Sequence, residues 1–369
     1  MHMKVGFSRR IIQLNTGLEM AGYIDRTLPS SGVCKPIEML TLFLEDSKPF
    51  WLITADVIGI PGYLRFDDTV PIATHTHSSP KPELIVGEMR TAAGWSRDQS
   101  RNAAVELIHI EHIAFETTGV CSRRTEQGYS DIIGGDILIL NTAKSGIGII
   151  VFPCHPTVLG PENTLCSPDL AGGIRHALAR EYAFPFIYLN SCSGDISTRY
   201  TRTERTLQEI DRLSSLFMST IKTIGRTMIE PESLRYSECF FEMPVKPPTS
   251  NLPYPKRPEA IPGYRLALKR SQMCDIEKYR LATAGLLELG EIAMLFLPFE
   301  LFQSTGEILR DLMKERFKVS IVVCYALDYF PYVVPIGMEG SYEWYASPYD
   351  EQAERFLIEK MKSFLVNGG

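Results

Sequence analysis

Residues of the kinds that do chemistry stand just past several apolar runs of the 369-residue sequence. Thr74-His75-Thr76-His77-Ser78 follows the run 70–73, Cys154-His155-Pro156-Thr157 follows 147–152, and Gly194-Asp195-Ile196-Ser197 lies past 186–189. Pro298-Phe299-Glu300 follows 292–297, and Asp328-Tyr329-Phe330-Pro331-Tyr332 follows 319–325. His75, His155 and Glu300 are two imidazoles and a carboxylate, the donor types of a zinc site that keeps a position open for water. A site of that kind does metal-assisted hydrolysis. Each of the three is equally the type of a hydrogen-bonded structural residue. Spacing alone leaves both readings open.

The elements that must position these residues alternate along the chain. Short apolar or β-branched runs at 50–57, 137–140, 147–152, 186–189, 292–297 and 319–325 read as buried strands. Leu207, Ile210, Leu213, Phe217, Ile221, Ile224 and Met228 recur every three or four positions, which predicts one amphipathic helix over 203–229. Helices are also expected over 170–182, 276–289, 305–316 and 351–365. The fold class is therefore α/β, a mixed central β-sheet core with surrounding helices. In such folds the crevice outside the strand ends is where sites are built.

Composition narrows the function. Apolar residues make up 44% and charged residues 22%, which excludes a disordered or fibrous chain. The net charge is −6 and basic residues cluster no further than pairs such as Arg9–Arg10, so no nucleic-acid partner is expected. No apolar run approaches the roughly 20 residues of a membrane span. The start has no export signal and the eight cysteines form no CxxC pair, so a cytoplasmic location with free thiols is the expectation. P-loop, GxGxxG, HExxH and GxSxG patterns are absent. His109 and His112, three apart, are a weaker candidate for a second metal site. Seven prolines in the nineteen residues 244–262 predict an extended surface connection, either a linker or a loop edging the active site.

Read in order, these motifs resemble the catalytic N-terminal region of the neutral (non-lysosomal) ceramidase family, zinc-dependent amidases. The resemblance runs through Met20-Ala-Gly-Tyr23, Ala55-Asp56, Ala73-Thr-His-Thr-His-Ser78 and His155-Pro156-Thr157 with Ser167-Pro-Asp169. It continues through Gly194-Asp195-Ile196-Ser197, Leu297-Pro-Phe-Glu300-Leu-Phe, Tyr329-Phe-Pro-Tyr332 and Tyr342-Glu343. It implies Zn2+ held by His75, His155, Glu300 and Tyr332, with His77 beside the metal as proton shuttle. Arg123 matches the active-site arginine, with Arg124 a rival one position on. Arg123 and Tyr342 would stabilise the oxyanion and Ser197 would orient the substrate. Asp56 and Asp169 are expected behind the metal-binding histidines.

Ligands from both ends of the chain make 1–369 one catalytic domain and 244–262 an internal loop. The chain departs from the family at Phe299, where glycine is usual, at Thr198, where proline is usual, and in a short 56–75 segment. The expected substrate is accordingly a small-molecule amide, more polar than ceramide. Ester or lactone hydrolysis, amide formation on the same site, and a ligand-binding relative without catalysis are the alternatives. A homo-oligomer is compatible with all of these.

Overall fold

In the central strands apolar residues face both ways because both faces of the sheet are buried there. In strand Glu38–Glu45, Leu40, Leu42 and Leu44 enter one core while Met39 and Phe43 enter another. In strand Ile292–Phe296, Ile292, Met294 and Phe296 join the first core, and Ala293 and Leu295 the second. The computed structural model describes residues 3–66, 68–124, 131–246, 252–271 and 276–367.

Among the described residues, the larger sheet has nine strands. Their order across the sheet is Phe186–Asn190, Gly146–Phe152, Ile132–Thr142, Val105–Thr118, Lys4–Ile11, Glu38–Glu45, Pro49–Ala55, Thr69–Ala73, with Lys222–Ile229 also paired to Val105–Thr118. The smaller has four, in the order Leu234–Glu242, Leu281–Leu289, Ile292–Phe296, Val319–Val323. Both are mixed, as the alternating pattern implied. One face of each meets the other sheet across a shared aliphatic core. Helices Val86–Asn102, Gln303–Lys314 and Ala353–Asn367 contribute to the second core on the outer faces. Helices Asp169–Tyr182 and Leu207–Thr220 cover the remainder of the larger sheet.

Two helical expectations give way to strands. The helix predicted over 203–229 stops at Thr220, and Lys222–Ile229 is a strand antiparallel to Val105–Thr118. Thr223, Ile224 and Thr227 are β-branched and Gly225 is a poor helix former, so an available sheet edge outcompetes the helical spacing. Ile224 and Met228, which the helix would have buried, are 56% and 52% exposed. The segment 276–289 likewise holds a strand, Leu281–Leu289, which turns through Gly290 at φ +55° into Ile292–Phe296.

Of the proline-rich stretch, 247–251 lies outside the described residues. On either side it packs against the C-terminal segment. Val245 bridges Tyr349, the Lys246 N–H donates to the Pro348 carbonyl at 2.8 Å, and the Tyr345 hydroxyl donates to the Pro253 carbonyl at 2.7 Å.

Candidate metal centre

Three parallel pairings bring the strand ends together. Thr69–Ala73 runs parallel to Pro49–Ala55, Phe186–Asn190 to Gly146–Phe152, and Val319–Val323 to Ile292–Phe296. Ile72 bridges Ala326, joining the edge of the larger sheet to the exit of the smaller. His75, His155, Glu300 and Tyr332 all follow these ends. Glu300 is paired in register with Tyr332, and His155 with Ser197.

The residues converge from the four segments. His155 Nε2 lies 3.1 Å from Glu300 Oε2 and 3.3 Å from the Tyr332 hydroxyl. His75 Nε2 lies 3.5 Å from the same Glu300 oxygen and 3.4 Å from His77 Nε2. The other Glu300 oxygen accepts from the Tyr329 hydroxyl at 2.9 Å. His75, His155 and Glu300 are buried.

Backbone carbonyls fix the imidazole tautomers. Nδ1 of His75 is 2.7 Å from the Ile58 carbonyl, and Nδ1 of His155 is 2.6 Å from that of Ser193. A carbonyl oxygen only accepts, so both Nδ1 atoms carry hydrogen, and in the neutral ring Nε2 is then the atom that presents a lone pair. The His155 lone pair therefore faces a carboxylate oxygen, acceptor against acceptor. A cation between them resolves that opposition. His75, His77 and His155 form a group that could hold a metal ion, their ligand atoms all within 4.8 Å of one another. Buried His77 Nδ1 has no hydrogen-bond partner among the described residues.

Electrostatics agree with the donor set. Burial, reinforced by Arg124, pushes His155 down to about 4, and burial holds His77 well below the usual imidazole value. Both rings are thus neutral near pH 7, the form in which imidazole binds metal. Burial and the Glu300 charge push the Tyr332 hydroxyl well up.

The backbone is shaped for this. His75 sits at φ +67°, in the left-handed region, held by its N–H to the Val57 carbonyl at 3.0 Å. Gly22, at φ +99°, leaves room for the His77 ring, since a Cβ there would come within 2.6 Å of it. At Gly59 a Cβ would come within 2.2 Å of Tyr329.

The two arginines separate. Arg123 leaves the cluster, its Nε donating to Gln303 at 3.0 Å and its head lying 3.7 Å from Glu307 on helix Gln303–Lys314. Arg124 is nearly buried, reaches the Gly194 carbonyl, and lies 3.4 Å from Glu343. Burial alone would lower its pKa; Glu343 and then Tyr332, by charge and by hydrogen bond, raise it. Tyr342 stands edge-on to Tyr332 with ring centres 6.1 Å apart.

The carboxylates expected behind the histidines serve elsewhere. Asp56 takes two hydrogen bonds from Arg175, at 2.9 and 3.0 Å, and one from Thr74 at 3.2 Å, so it holds the residue before His75 and not the imidazole itself. Asp169 accepts the N–H groups of Val158 and Leu159 at 3.0 and 3.1 Å. His112 pairs with Asp136 at 2.9 Å in the middle of the larger sheet, and His109 lies in the same strand. Tyr325, absent from the sequence expectation, stacks on His75 with ring centres 4.0 Å apart.

A mixed α/β fold with a buried His, Glu and Tyr cluster outside its strand ends defines the class structurally. No protein-family model and no curated protein matches the sequence. Among solved structures, the chain is similar to the neutral ceramidase from Pseudomonas aeruginosa at a TM-score of 0.78 and 14% identity, covering 99% of this chain and 74% of that one. A ceramidase complexed with C2 matches at a TM-score of 0.75 and 14% identity, covering 99% and 75%. The chain therefore has the fold of the neutral ceramidase structures.

Proposed function

We propose that the protein is a zinc-dependent hydrolase that cleaves the C–N amide bond of a small-molecule substrate, with the whole chain acting as one catalytic unit. One observation carries the reading: the His155 lone pair opposes the Glu300 carboxylate at 3.1 Å, beside His75 and the Tyr332 hydroxyl. The ceramidase fold supports it, as does the order of the matched motifs.

His75, His155, Glu300 and Tyr332 would hold the ion. The chemistry a zinc ion held there would supply is a water nucleophile at neutral pH, the pKa of bound water falling from near 16 to roughly 7, and a polarised carbonyl. His77, with a neutral ring whose Nε2 faces His75 at 3.4 Å, would take at that nitrogen the proton that the water nucleophile gives up and pass it to the leaving amine. Arg124, in place of Arg123, and Tyr342 donate to the carbonyl oxygen as negative charge grows on it. Ser197, in register with His155, orients the substrate.

Stripping the protein with dipicolinate should abolish hydrolysis of N-acyl amides, and one equivalent of zinc per chain should restore it. Full amide turnover by the chelated, metal-free protein would overturn the reading.

A further inference from the structure

The cleft next to the cluster is built from arginine, against the overall charge of −6. It encloses about 500 Å³ and is lined by Tyr23, Arg199, Arg202, Thr203, Glu204 and Arg205, among others. Arg205 is paired with Glu162 at 2.7 Å. Arg199 and Arg202 have no ion-pair partner among the described residues, and Arg202 donates only to the Thr157 carbonyl. Glu204, the carboxylate that shares the lining, accepts from the Thr206 hydroxyl at 3.4 Å and is paired with neither guanidinium among the described residues, so the two like charges repel each other until an anion arrives.

Two links tie this cleft to the cluster. Tyr23 stands edge-on to His77 with ring centres 5.0 Å apart. The Arg199 N–H donates to Ser197 Oγ at 3.3 Å, two residues from a position in register with His155.

We infer that this cleft binds the part of the substrate projecting from the amide, and that this part carries an anionic group, a carboxylate or a phosphate, gripped by Arg199 and Arg202. The inference rests on the hydrolase reading for the word substrate, and on the cleft alone for the anion. It assigns the specificity of the site to residues outside the metal cluster.

The test compares three amides sharing one acyl group on the zinc-loaded protein: an N-acylglycine, an N-acylethanolamine phosphate and the neutral N-acylethanolamine. One anionic amide should exceed the neutral one in kcat/KM by roughly 10- to 100-fold, the worth of a charged hydrogen bond or two. Which anion wins identifies the group. Arg199→Gln/Arg202→Gln should bring that ratio to near one, and Arg199→Gln alone, at an exposed side chain, should lower it without touching the fold. A wild type that handles the neutral amide as well as both anions overturns the inference and leaves the hydrolase reading standing. If no amide is turned over, calorimetric binding of the two anions decides. Affinity that weakens at least tenfold in the double variant sustains the cleft while the hydrolase reading fails; affinity unchanged in the variant, or no binding, overturns the cleft as well.

Discussion

Glu300→Gln is expected to fold as the wild type does and to lose amide hydrolysis by about three orders of magnitude, the several kcal/mol that a correctly held metal contributes. The substitution keeps the shape of the side chain and an oxygen to accept from Tyr329, which now stands 2.9 Å away. It removes the negative charge that both His75 and His155 face, at 3.5 and 3.1 Å. Zinc affinity should fall together with kcat, while the thermal midpoint of the metal-free protein stays where it was. Activity within tenfold of the wild type would show that Glu300 is not part of the working site.

The largest expected effect on stability lies behind the site, at Arg175. This arginine is 1% exposed and bridges Glu38 at 2.8 Å and Asp56 at 2.9 Å, both also buried. Arg175→Met removes the only cation that contacts both carboxylates among the described residues; Glu38 keeps Arg9 at 2.6 Å and His176 at 3.3 Å, and Asp56 is left buried without a cation. Breaking a buried pair in this way costs about 3–5 kcal/mol. The loss should appear as a urea midpoint far below that of the wild type, or as failure to fold. Arg175→Met/Asp56→Asn should recover part of it, because the stranded charge goes too.

The pH dependence has a definite sign. Burial raises the Glu38 pKa, but hydrogen bonding from His176 and the charges of Arg175 and Arg9 override it and hold the carboxyl down to about 2, against 4.5 in an open chain. A depressed carboxyl stabilises the fold fully above its unfolded value and loses that contribution as pH falls toward its folded value. Urea midpoints of the wild type should therefore drop between pH 4.5 and 2. The drop should be shallower in Arg175→Met, where the carboxyl is less depressed. An acid limb equally steep in both proteins would contradict the ion cluster.

Much of the candidate site was legible because strands buried on both faces write uninterrupted apolar runs, and polar residues just past them fall at the crevice. His75, His155, Glu300 and Tyr332 were found that way and by their motifs, and the structure brings them together. Neighbouring residues in an extended segment point to opposite sides, so a single register step separates Arg123 from Arg124. That step is set by the pairing of Arg123 with Ile196 and by the Arg124 N–H bonded to the Asp195 carbonyl, neither of which leaves a local trace. Asp56 was misread for a related reason: its partner Arg175 is 119 residues away. Tyr325 looked like the end of a buried strand, and only the fold turns its ring onto His75. The strand Lys222–Ile229 hid behind a helical spacing that its own β-branched residues contradict.

Elemental analysis of the purified protein reloaded with zinc, beside His75→Ala/His155→Ala, tests the central claim most directly. The expected result is about one zinc per chain in the wild type and none in the double variant. A wild type that still holds no metal after reloading, or a variant that holds as much, would contradict the account.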